Sequence, residues 1–287
     1  FETASAWRKL VSACREALAL AGAAASSVAG LAVTGMRHGL VLVDRGGEVL
    51  LAVPTVDARA AGQGMRLAQD RGDEFFRLTG RHPAPLLAAA RLLWFREERP
   101  AECERVHAVL GAAEWVASRL TGAYAAEATQ AGESLLFTLA ERAWSAALIR
   151  SLGLPRAIFP PVLQAGTTLG ALTAAAADVL GVKAGIPVAV GCADTQSALL
   201  SSLVLEPGAA ALIGGTTAPV IQCQAGAMLD GEKRSWTGHH VVPGRFLLES
   251  NAGQLGAMLS WSAALLHGEL PDAVPAFLSE AALAPPG

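Results

Sequence analysis

Charge is scarce in this sequence: only 16% of its 287 residues are Asp, Glu, Lys or Arg, and the formal net charge is −3. An ordinary soluble domain carries about a quarter. With 52% hydrophobic residues the chain is not a disordered one. At this length it can bury roughly three quarters of its unfolded surface, in one large or two moderate domains. Clustered Lys and Arg are missing too, so no nucleic-acid footprint is present. The densest basic stretch, Arg91 to Arg99, is interleaved with Glu97 and Glu98 and is expected to be a solvated helix face. Cys14, Cys103, Cys192 and Cys223 lie far apart with no C-x-x-C, which favours a reducing, cytoplasmic setting. Only His239 and His240 are adjacent histidines; neighbours on a strand point to opposite faces, so no zinc site is expected.

Long hydrophobic runs of the membrane kind are also absent. Residues 17–36 carry no charge and could reach across a bilayer, but they are mostly Ala, Gly and Ser and read as a helix end, a loop and a buried strand. Arg15 and Glu16 interrupt any signal-peptide core. The first residue is Phe1, which is compatible with an incomplete or processed N terminus. Three familiar motifs are missing: no G-x-G-x-x-G after a strand, no G-x-x-x-x-G-K-[ST] and no G-x-S-x-G. Dinucleotide binding, P-loop chemistry and α/β-hydrolase chemistry lack support accordingly.

What is present alternates between helix and strand. Trp7, Leu10, Val11, Cys14 and Leu18 fall at helical spacing within residues 5–21. A short apolar run, 28–35, suits a strand buried on both faces. Residues 38–53 predict a hairpin that turns at Asp44-Arg45-Gly46-Gly47. Residues 60–152 are mostly helical, with a strand at 105–111, and 153–170 is an extended connection. A helix follows at 171–180, a buried strand at 185–191, an apolar helix at 195–203 and a second buried strand at 209–213. Residues 246–249 read as a strand, and a glycine-spaced helix starts near 251. The order implies a mixed sheet covered by helices rather than an all-parallel one.

Chemistry gathers at strand ends. Asp194 follows the 185–191 strand, where a carboxylate aimed into a cleft can take the proton of a substrate hydroxyl; it also suits a helix N-cap. Gly214-Gly215-Thr216-Thr217 ends the next strand, where bare backbone N–H groups and hydroxyls suit an anion or form a plain tight turn. Arg37 and His38 interrupt an apolar run, where desolvation requires partners; a binding role and a hairpin edge are the two readings. Asp57 and Arg59 could share one side of an extended segment or form a local ion pair.

Taken in order, these pieces resemble the FGGY carbohydrate kinase family. Val33-Thr34-Gly35-Met36-Arg37-His38-Gly39 is similar to V-S-G-Q-M-H-G, and Pro54 to Arg59 resembles P-x-x-W-x-D-x-R. Leu93-Trp94 with Pro100 resembles L-W-x-x-x-x-x-P, Arg119 to Gly122 matches R-L-T-G, and Pro187 to Asp194 is similar to P-V-x-x-G-x-x-D. Glu206 to Thr217 resembles a stretch ending in G-T-S, and Gly253 to Trp261 a glycine-rich helix ending in Trp. The resemblance spans about residues 7–261. It implies an actin-like (ribonuclease H-like) α/β fold, a mixed sheet with helices on both faces. Two domains are expected: a sugar-binding one at 1–204, lacking its first strands, and an incomplete ATP-binding one at 205–287. It further implies xylulokinase-like phosphorylation of a sugar or polyol, a ketopentose such as xylulose, using ATP and Mg²⁺. By this resemblance Asp194 is the catalytic base, Arg37, His38 and Asp57 bind substrate, and Gly215, Thr216 and Gly256 bind the nucleotide; no residue is assigned to the metal. The expected partner is a small-molecule sugar or polyol, with a homodimer as quaternary state and neither nucleic acid nor membrane. The sequence departs from the pattern at Thr55, where many members carry Trp, and at Arg37, where they carry Met. The usual D-x-G-T-[ST] strand is not found, nor is the C-terminal adenosine region. A non-catalytic sugar- or nucleotide-binding remnant is therefore the alternative, and a structural actin-like ATPase a weaker one.

Overall fold

A computed structural model describes residues 1–215, 217–251, 253–268 and 270–285. Helix α1 (Thr3–Leu20) opens the chain, its first turn capped by the Glu2 carboxylate, which accepts from the N–H groups of Ala4 and Ser5. Strand β1 (Leu31–Ala32) follows, then the hairpin β2 (Leu40–Val43) and β3 (Val49–Val53). The Asp44 carboxylate ties that turn by accepting from Gly46 and Glu48 N–H, and Gly47 takes the positive φ of 81° that the turn needs. Helices α2 (Ala61–Thr79), α3 (Ala88–Glu98) and α4 (Pro100–Cys103) lead to strand β4 (Ala108–Leu110) and helix α5 (Ala112–Thr121). Next come β5 (Ala126–Glu127), α6 (Ala128–Ala131), α7 (Ala146–Ser151), β6 (Val162–Leu163), β7 (Thr168–Ala171) and α8 (Ala174–Leu180). Strand β8 (Pro187–Ala189) runs into α9 (Asp194–Ser201). The remainder holds β9 (Ala210–Leu212), β10 (Pro219–Gln224), β11 (Trp236–His239), β12 (Phe246–Asn251), α10 (Leu255–His267) and α11 (Ala273–Ala281).

The strands form sheets ordered β1-β8-β7, β3-β2-β4, β11-β12-β10-β9 and β5-β6. The first is mixed: β1 runs parallel to β8 and β7 antiparallel to it. Strand β2 lies between β3 and β4 and is buried throughout. Because side chains alternate, Leu40 and Leu42 join the largest core, with Phe75, Leu92 and Phe95 from α2 and α3. Val41 and Val43 face the other way, onto Leu110 and Trp115. Each such side chain contributes roughly 1.5–3 kcal/mol by leaving water. Trp7, Leu10 and Val11 of α1 pack with Leu180 and Val188. Leu199 of α9 packs with Ile221, Cys223 and Leu247 under the four-stranded sheet.

Three sequence expectations are corrected here. Strand β1 is an edge, half-buried or exposed, because among the described residues it pairs with β8 alone. Strand β9 is an edge for the same reason, and its Leu212 is 63% exposed. Arg91, expected on a solvated face, is completely buried. No helix among the described residues is long and apolar enough to cross a membrane.

Candidate active site

Two chain segments meet at the C-terminal end of β8. Past the paired residues of β1 and β8, an isolated parallel bridge joins Gly35 to Ala193, and the Asp194 N–H donates to the Gly35 carbonyl at 3.0 Å. This register brings the chain just before Arg37 alongside the start of α9, and the Asp194 charge is among those that act on Arg37. The helix is capped by Ala193, so Asp194 occupies its first turn and is not the capping acceptor. Asp194 Oδ1 accepts from the Thr195 N–H at 2.7 Å, and Oδ2 makes no hydrogen bond among the described residues. The residue is exposed. The carboxylate, expected to be aimed into a cleft, is open to solvent, since no described element packs over it.

Arg37 and His38 are not hairpin-edge residues; both are half-buried, with their side chains largely covered in a cluster of charges. Arg37 donates through both terminal nitrogens to Glu249 of β12, at 2.6 and 2.9 Å, and lies 3.6 Å from Glu133. Burial alone would lower its pKa, but Glu133, Glu249 and Asp194 raise it above the ordinary guanidinium value, so Arg37 stays charged. Burial, together with Arg37 and Arg81, holds His38 well below the usual imidazole range. The ring is neutral, and the 3.5 Å contact of its Nε2 with Glu133 is no ion pair. Arg81 donates to Glu133 at 2.7 Å and stacks over the Trp236 ring at 4.9 Å. His38 Nδ1, Glu133 Oε2 and Arg81 Nε and Nη1 are buried without a partner among the described residues. Such groups are costly unless something completes their hydrogen bonds. A cavity of about 40 Å³ opens beside them, lined by His38, Gly111, Glu114, Gln130, Glu133 and Trp144 among others.

Backbone strain marks the same place. His38 has φ +63°, a left-handed value that a residue with a Cβ adopts at a cost. Arg91 holds it there by donating to the carbonyls of His38, Pro54, Thr55 and Asp57. The Thr55 hydroxyl donates to the Arg37 carbonyl at 2.6 Å. The segment around Asp57 is thus fastened to the Arg37–His38 turn, but the Asp57 carboxylate is taken by Arg59 Nε at 2.8 and 3.0 Å. That ion pair and the Arg59 N–H hold its pKa below the carboxylate norm despite burial.

The residues expected to meet the nucleotide fall on other elements. Gly214 and Gly215 are exposed after β9; Ile213 packs in the same cluster as Leu199 of α9. A Cβ on Gly214 would meet nothing within 4 Å, so an anion can approach its backbone. The Gly215 N–H donates to the Thr217 carbonyl. Thr216 lies outside the described residues. Gly256 is half-buried in the first turn of α10. Glu133, Glu249, Arg81 and Arg91 were missed by sequence reasoning. For Arg91 and Glu249 the signal was an isolated charge inside an apolar stretch, as in Ala90-Arg91-Leu92 and Leu248-Glu249; Arg81, between Gly80 and His82, and Glu133, between Gly132 and Ser134, carried none.

The fold is of the actin-like (ribonuclease H-like) α/β class. Residues 2–201 match the N-terminal domain of the FGGY family of carbohydrate kinases, and the chain belongs to that family. It is 33% identical over 265 residues to the autoinducer-2 kinase of Escherichia coli K12, a match covering 91% of this chain and 50% of the relative. The chain spans about half the length of such curated relatives. A xylulose kinase from Rhodospirillum rubrum superposes with a TM-score of 0.81 at 30% identity, over 90% of this chain and 53% of that one. A ligand-bound xylulose kinase from Lactobacillus acidophilus, 19% identical, shares the fold with a TM-score of 0.86 over 97% of this chain and 57% of that one.

Proposed function

We propose that this chain carries the sugar site and the catalytic base of an ATP-dependent kinase acting on a sugar or polyol hydroxyl. The observation behind this reading is an exposed carboxylate, Asp194, beside a buried Arg37–Glu249–Glu133–Arg81 cluster that still has unused donors and acceptors. A polyhydroxyl ligand both donates and accepts at every carbon and suits such a mixed set. A ketopentose such as xylulose is the substrate placed first, since relatives of this fold are xylulose kinases. We place the division between sugar-binding and nucleotide-binding parts at residues 204 and 205, and the protein in the cytoplasm, where its four cysteines stay free.

In this reading Asp194 accepts the proton of the hydroxyl that receives the phosphoryl group, and Arg37 and His38 orient the sugar. Mg²⁺-ATP, when bound, supplies the phosphoryl group and a metal that offsets its charge. The ion is proposed to arrive on the phosphates, as Mg²⁺ commonly does in phosphoryl transfer. Glycines 214 and 215, Thr216 and Gly256 are proposed to meet the nucleotide.

The test is ADP formation from Mg²⁺-ATP with a panel of sugars, using the complete gene product and its Asp194→Asn variant. We expect sugar-dependent turnover that falls at least ~10²-fold in the variant while sugar binding persists. Turnover near wild type in Asp194→Asn would show that the base is elsewhere. Sugar binding without any turnover would favour the non-catalytic binding protein.

A further inference from the structure

Asp194 is aimed by its backbone, and the residue just before it is held from a second direction. Ala193 is completely buried, so its N–H must find an acceptor. The acceptor is the Thr129 hydroxyl of α6, at 3.0 Å. That hydroxyl donates its own proton to Glu127 Oε2 at 2.5 Å, which turns its lone pairs toward Ala193. Thr129 and Glu127 are each 1% exposed. From the opposite side, Gly35 accepts the Asp194 N–H, and the Gln130 amide donates to that same Gly35 carbonyl at 3.2 Å. One short segment, Glu127–Gln130, thereby grips both chain segments that carry Asp194 and Arg37.

We propose that Thr129 is a positioning residue for catalysis: its hydroxyl, oriented by Glu127, fixes the peptide before Asp194 and with it the direction of the Asp194 carboxylate. This rests on the kinase reading. The single hydroxyl oxygen both accepts from Ala193 and donates to Glu127; valine has the same shape and can do neither. The Thr129 N–H also donates to Glu127, at 2.8 Å, which caps α6 without the hydroxyl. A valine at this position therefore leaves the helix cap in place and removes the link to Ala193. Displacing a reacting group by about 1 Å can cost ~10²-fold in rate, so the effect belongs in kcat.

The experiment compares wild type, Thr129→Val and Thr129→Ser in the complete gene product. It reads kcat, sugar KM, thermal midpoint and amide exchange at Ala193 and Asp194. In Thr129→Val we expect kcat to fall about tenfold or more with sugar KM little changed, and exchange at Ala193 to quicken about tenfold through loss of one hydrogen bond. Thr129→Ser should restore both. An active wild type whose valine variant keeps its kcat overturns the proposal, as does a serine variant as impaired as valine, which would point to the lost methyl group. Should Thr129→Val fail to fold, Thr129→Ala, smaller and equally without the hydroxyl, carries the same expectations. If the wild type transfers no phosphate to any sugar, the kinase reading fails; unchanged exchange in the valine variant then overturns the grip on Ala193 independently, and faster exchange upholds it.

Discussion

Arg91 does with one guanidinium what a strand ladder does elsewhere. Four carbonyls from two loops point at it, none of them in a sheet, and without it only that of Pro54, which also accepts the Asp57 N–H, would keep a donor among the described residues. Burial pulls its pKa down to about 10, which leaves it charged near neutrality. Arg91→Met should destabilise the protein by at least ~3 kcal/mol in urea unfolding. Lysine should rescue little, because an ammonium cannot span the fork of contacts a guanidinium makes. At this scale the sequence was half legible. Arg37 and His38 were recognisable because two polar groups in an apolar run need partners. The partners were not: Glu249 lies 212 positions from Arg37, and no local pattern encodes that distance. Asp57 and Arg59, two positions apart, were read as either site or ion pair, and the short separation produced the ion pair.

Elements whose contacts are local were legible in the same way. The first helix, the Asp44–Gly47 hairpin and the helix beginning at Asp194 all depend on neighbours within a turn or two, and all form close to where the pattern places them. Strand neighbours are a non-local property. An apolar run reads the same at an edge as in the middle of a sheet, which is why β1 and β9 were expected to be buried on both faces. Strand β10 had no sequence reading, and β11 was touched only through the strand geometry assumed for His239 and His240. At the strand end that carries Asp194, the deciding residue is Gly191. A Cβ there would collide with the Val33 backbone carbonyl, which cannot swing aside as a side chain would. Gly191→Ala should force the Gly35 and Ala193 segments apart, lowering stability by ~2 kcal/mol or more. If the two segments share the chemistry, sugar phosphorylation should fall with it. A thermal melt and a turnover assay on the same preparation check both outcomes, and a stable variant with full turnover would show that the spacing is not needed.

Across the whole molecule, the sheet of β9 to β12 is tied to the rest by the apolar packing of Leu199 and Val204 against it and by several polar links. Glu249 reaches Arg37, the Thr237 N–H donates to the Gly80 carbonyl, Lys233 pairs with Asp73, and the two adjacent histidines diverge as strand geometry requires. His240 Nε2 meets the Val204 carbonyl at 3.0 Å, and His239 Nε2 meets the Thr138 carbonyl at 3.2 Å. With a carbonyl opposite it, His239 Nε2 carries the hydrogen. Its Nδ1 is buried with no partner among the described residues, so a second proton would be unsolvated there. Burial, with Arg142 nearby, lowers His239 from 6.5 to about 4. The folded pKa lies below the unfolded one, so between those values the unfolded chain binds the extra proton. Stability is therefore complete above pH 6.5 and is lost as pH falls toward about 4, by up to ~3 kcal/mol from this group. His38 and His240 are lowered too and act in the same direction, so wild type alone cannot isolate His239. His239→Gln keeps a donor near the Nε2 position and cannot titrate. The difference in unfolding free energy between wild type and this variant should shift in favour of the variant as pH is lowered from 7 to 4. A constant difference across that range would mean that His239 is protonated in the folded protein and that the link to Thr138 survives the charge.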